Sequence, residues 1–113
     1  MKFKVIVFEH PQHNVWGNFC GYCPANCYYC SGNNTFGETL KRIRDRIKFD
    51  LEQRFMVPTH LEKFGWSITE NSVKPPIFTD EEVIQLAERS YEITINKYKI
   101  LEVHVRIPKR RFN

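Results

Sequence analysis

The chain has 113 residues, a formal net charge of +4 and a pI near 8.9, which leaves room for one domain around one core and excludes two full-sized ones. With 42% hydrophobic and 14% aromatic residues it carries enough apolar surface to fold unaided, which argues against a disulfide-stapled miniature protein. No stretch reaches membrane-spanning length, and the start "MKFKVIVFEH" lacks a secretory cleavage pattern, so a soluble cytoplasmic chain with reduced thiols is expected.

"KFKVIVFE" opens with Phe3, Val5 and Val7 on one face and Ile6 and Phe8 on the other, the pattern of a central strand covered on both sides. "HPQHN" then marks a turn, "VWGNFCGYC" a second strand and "CYYC" a third. Thr35 followed by Glu38 is a capping box, and Phe36, Leu40, Ile43, Ile47, Leu51 and Phe55 recur on one helical face. Their spacing predicts a helix from about Phe36 to Arg54, ending before Pro58.

"PTHLEKFGW" offers a second capping box from Thr59 to Glu62 and a stop at Gly65, enough for one or two helical turns. "WSITENSV" reads as a short strand or extended segment. A third box, Thr79 to Glu82, opens a helix that turns Val83, Leu86, Ala87 and Tyr91 inward. Finally Leu101, Val103, Val105 and Ile107 alternate with Glu102, His104 and Arg106, the cleanest strand pattern in the chain. The expected fold is α+β: a small antiparallel or mixed sheet in the order β-β-β-α-(insertion with helix)-β. Residues 1–56 would form the core, 57–98 an insertion with a short helix and one main helix, 99–108 a closing strand, and 109–113 a basic tail.

Cys20, Cys23, Cys27 and Cys30 invite three readings. "CPANCYYC" has the C-x-x-x-C-x-x-C spacing of radical S-adenosylmethionine enzymes, but the large barrel those enzymes use does not fit in this length. Two C-x-x-C pairs, with His10 and His13 as substitutes, suit zinc in ligand type, yet a spacer of three residues makes the geometry tight. A hairpin closing around "PAN" would instead set Cys23 opposite Cys27 and Cys20 opposite Cys30, sending the two pairs to opposite sheet faces. Packed free thiols are the favoured reading, and a small zinc or iron–sulfur protein is the alternative.

No Ser–His–Asp or paired-carboxylate pattern stands out, His60 and His104 are isolated, and "GNNTFGE" lacks the lysine of a phosphate loop. A non-enzymatic protein without a cofactor is therefore expected. Lys41, Arg42, Arg44, Arg46 and Lys48, with the tail Lys109, Arg110 and Arg111, would serve a nucleic-acid surface, although a solvated helix face is the simpler account. Trp16, Tyr22, Tyr28 and Tyr29 on the outer hairpin are the candidate protein-contact residues, with core packing as their competing role.

"GYCPANC", with Pro24 and Cys27, and "SGNNTFGETLKRIRDRIKFDL", with Gly32, Thr35, Glu38, Leu40, Ile43, Ile47 and Leu51 in register, resemble the HicB-like antitoxin family. "ILEVHVRIP" resembles that family's closing strand, displaced by an insertion of roughly forty residues. The resemblance implies a strand-strand-strand-helix-strand domain, a degenerate relative of the ribonuclease H fold without activity of its own. It further implies a HicA-like, mRNA-cleaving toxin as partner, neutralised by occlusion of its catalytic face. Many members also bind operator DNA, but neither "EEVIQLAERSYEI" nor "PKRRFN" makes a recognisable DNA-binding unit. Self-association stays open.

Overall fold

The computed structural model describes residues 2–11, 18–53, 59–69 and 73–106. In chain order its elements are β1 (Lys2–Glu9), β2 (Phe19–Cys23), β3 (Tyr28–Asn33), α1 (Phe36–Gln53), α2 (Thr59–Glu62), β4 (Ser67–Ile68), β5 (Val73–Lys74), α3 (Asp80–Tyr91) and β6 (Tyr98–His104). Strands β3-β2-β1-β6 form one antiparallel sheet in that spatial order, and β4 and β5 pair as a separate short hairpin. The fold is α+β, as expected from the pattern.

β1 sits inside the sheet, and its two faces feed two cores. On one side Phe3 and Val5 pack with Cys23, Cys30 and Val103 beneath Ile43, Ile47 and Leu51 of α1. On the other Ile6 and Phe8 join Cys20 and Tyr22 beneath Val83 and Ala87 of α3, with Ile95 closing the layer. Each large aliphatic side chain fully withdrawn from water contributes about 1.5–3 kcal/mol, so both layers are needed to hold a sheet this small.

Helices α1 and α3 begin where their caps place them, while the side chain of Thr59, the expected cap of α2, lies outside the described residues. Thr35 Oγ1 accepts from the Glu38 amide at 3.1 Å, while the Glu38 carboxylate accepts from the Asn34 amide at 3.0 Å, one residue earlier than a regular capping box. At α3 both halves of the box form around Thr79 and Glu82, and Glu92 ends the helix in the left-handed region. Helix α1 packs closely against β2 at Gly21. A Cβ there would lie 2.6 Å from Thr39 Cγ2 and 2.7 Å from Ile43 Cδ1, so the absence of a side chain sets the helix–sheet distance.

The segment between α1 and β6 contributes to the core. Leu61 and Trp66 both enter the α1-side core. Gly65, at φ +95°, supplies the left-handed turn that ends α2, and the Trp66 amide reaches back to the Leu61 carbonyl at 3.5 Å. Helix α3 then covers the face of the sheet away from α1. A single helix after β3 would return the chain parallel to β1; here the added elements bring β6 in antiparallel. The order strand-strand-strand-helix, an insertion with a helix, then a closing strand is the one the sequence pattern predicts.

Within β6, Val103 is buried on the α1 side together with Val105 just beyond the strand, and Leu101 is half-buried there, while Glu102, His104 and Arg106 are exposed. His13, Trp16, Arg54, Phe55, Ile107 and the tail Lys109, Arg110 and Arg111 lie outside the described residues, as does the side chain of His60.

Candidate functional site

The hairpin between β2 and β3 turns over Pro24, Ala25, Asn26 and Cys27, closed by a 3.4 Å bond from the Cys27 amide to the Pro24 carbonyl. The turn is one residue longer than "PAN" alone would need. Cys23 consequently faces Tyr28 and Cys30 faces Gly21, correcting the expected Cys23–Cys27 and Cys20–Cys30 pairings. The left-handed residue is Cys27, at φ +52°, a conformation that strains any side chain with a Cβ.

That register decides where the sulfurs go. Cys23 and Cys30 lie in the α1-side core, Cys20 lies in the α3-side core, and Cys27 is exposed at the turn. The split onto two faces persists, although its membership differs from expectation. Among the described residues no three His, Cys, Asp or Glu side chains form a metal-binding group. Burial pushes the Cys23 thiol up to about 12 and raises Cys20 and Cys30 as well, so these three are protonated, poorly nucleophilic groups at neutral pH.

Two distant elements clamp this turn. Asn26 Nδ2 donates to the carboxylate of Asp50 on α1 at 2.7 Å, and the Trp66 indole Nε1 donates to the Ala25 carbonyl at 2.6 Å. Asp50 is only 2% exposed, and its charge is met on the surface side by Arg46 Nε at 3.2 Å. A buried carboxylate of this kind is costly unless hydrogen-bonded from several directions, and here its bonds fix the conformation of the turn.

Outside the clamp the surface is aromatic. The Arg46 guanidinium carbon lies 5.6 Å from the ring centroid of Tyr28 and 5.6 Å from that of Phe49, within cation–π range of both. Phe49 is 51% exposed and Tyr29, on the other face of the edge strand, is 56% exposed. Tyr29 in turn packs edge-on against Tyr91, whose centroid is 5.5 Å away. Arg42 shields the strand farther along, donating to the Ser31 carbonyl at 3.2 Å and to Asn33 Oδ1 at 2.8 Å.

Of the four residues expected to contact a partner, Tyr29 is open, Tyr28 is half-buried under Arg46, and Tyr22 is 3% exposed inside the α3-side core. Tyr22 keeps its hydroxyl near Cys27 Sγ at 4.0 Å, and burial pushes its pKa up to about 12. The fourth, Trp16, lies outside the described residues. Phe49, Asp50, Asn26 and Trp66 are not among the expected site residues, and Arg46 is expected only as part of the basic helix face. One signal for Asp50 exists in the sequence: a carboxylate three residues after Ile47 and seven after Ile43 falls on the apolar stripe, where it must find a donor.

The basic residues of α1 are largely engaged at home. Lys41 pairs with Asp45 at 2.8 Å, Arg46 with Asp50, and Arg42 with β3, which favours the solvated-face reading over a free cationic track. Compared with known proteins, the chain matches no family model, and no curated protein or solved structure matches it.

Proposed function

We propose that this chain is a non-enzymatic protein-binding module whose contact surface is the clamped β2–β3 turn with Tyr29, Arg46 and Phe49. In keeping with its resemblance to the HicB-like family, the partner is a HicA-like mRNA-cleaving toxin, neutralised by occlusion of its active face. The observation that carries the reading is the double clamp on the turn, Asn26 to Asp50 and Trp66 to Ala25, beside exposed aromatic rings. A surface fixed before binding loses less entropy on association, and Tyr and Arg are the residue types that dominate interface energies. The neighbouring Arg44, Arg46 and Lys48 require a neutral or acidic patch on the partner where they meet it.

The proposal predicts that an adjacent reading frame encodes a small toxin-sized protein, and co-expression of the two tests it. Growth inhibition by that protein should be relieved by the native chain. A folded Tyr29→Ala/Phe49→Ala variant should bind it at least about ten-fold more weakly, the loss expected of an interface anchor. Failure of the native chain to relieve inhibition, or unchanged binding by the double variant, would count against the assignment.

A further inference from the structure

At the end of the sheet away from the Pro24 turn, β1, β2 and β6 finish together, with Glu9 opposite Phe19 and Phe8 opposite Tyr98. Helix α1 starts at Phe36 and lies mainly over β2 and β3, so among the described residues this part of β1 and β6 has no helix above it on the α1 side. A cleft of about 530 Å³ occupies the gap, lined among others by Val7, Glu9, Phe19, Phe36, Lys97 and Lys99. That volume lies inside the roughly 300–1,000 Å³ range of small-molecule sites, and the mixture of apolar walls with a few polar groups is their usual composition.

Its chemistry is lopsided. Val7 is buried at the floor, and Phe19 and Phe36 form half-buried walls. Lys97 and Lys99 are exposed at the rim, and the Lys99 ammonium sits 5.5 Å from the Phe36 ring centroid. Against these two cations stands one carboxylate, Glu9, leaving the mouth with an excess of one positive charge among these side chains.

We propose that this cleft binds a small apolar monoanion, a carboxylate carried on an alkyl or aromatic body. The body lies along Val7, Phe19 and Phe36, where its burial supplies the affinity. The carboxylate meets Lys97 and Lys99 at the water boundary, where a charged head keeps part of its hydration and its desolvation cost stays small. The hairpin surface takes no part, so this proposal stands or falls separately from the protein-binding reading.

Fluorescence titration of the full chain with anilinonaphthalene sulfonate, an anionic aromatic probe, followed by competition, provides the test. Saturable one-site binding is expected, displaced by dodecanoate and at least about ten-fold less well by uncharged dodecanol. A Lys97→Met/Lys99→Met variant with an unchanged melting temperature should bind dodecanoate about ten-fold more weakly. The Tyr29→Ala/Phe49→Ala variant should bind it as the native chain does. Absence of saturable binding, equal displacement by the alcohol, or an unaffected lysine variant would overturn the proposal.

Discussion

At the β2–β3 turn the backbone is pinned by side chains from α1 and from the segment after α2, whereas at the other end of the same sheet the strands stop beside an open cleft rimmed by lysines. Both ends belong to one sheet, yet the first uses buried polar bonds and the second leaves its apolar walls half-exposed. Buried hydrogen bonds from Asp50 and Trp66 specify a single turn geometry, suited to presenting a fixed surface. A half-open apolar cleft specifies much less about what fills it and suits a small guest.

The largest effect that can break this contrast is at Trp66. Replacing it with Ala removes a large core side chain and the bond to Ala25, and should cost about 3–5 kcal/mol in urea denaturation. A cost under about 1 kcal/mol would mean the indole is not seated in the core. Gly21 lies between the two ends, under α1. Gly21→Val should cost about 1–3 kcal/mol, because the new side chain meets the buried Thr39 and Ile43 rather than water.

Smaller and more local is the behaviour of the thiols. Cys27 should react readily with an aromatic disulfide reagent in the folded protein, while Cys20, Cys23 and Cys30 should react only as the chain unfolds. The sign of the pH dependence follows from burial. Cys23 is raised from 9.0 to about 12, so its buried neutral form contributes fully below pH 9.0, and that contribution is lost as pH rises toward 12. Denaturation midpoints should therefore fall across this alkaline window, and less so in a Cys23→Ala variant.

The parts legible from sequence were those written in local patterns. The two-sided apolar run of β1, the α1 stripe, the Thr79–Glu82 box and the alternation in β6 each depend on neighbours within a few positions, and each formed. The hairpin register was not legible, because it turned on whether Cys27 adopts a positive φ, which adds a residue to the turn and sets Cys23 opposite Tyr28 and Cys30 opposite Gly21 rather than opposite other cysteines. The clamp escaped for a different reason. Asn26 and Asp50 are 24 positions apart and Ala25 and Trp66 are 41 apart, and no periodicity links them. For Tyr22 the residue type leaves surface contact and core packing both open, and strand alternation turns it into the core under α3.

Hydrogen exchange at the Trp66 indole N–H, compared between the native chain and Asp50→Ala, addresses the clamp directly. The account predicts a strongly protected indole proton in the native chain. In the variant, loss of the Asn26 bond should loosen the turn and speed that exchange by about ten-fold or more while amides of the β1–β6 pair keep their protection. An indole that exchanges freely in the native chain, or one whose protection is the same with and without Asp50, would contradict it.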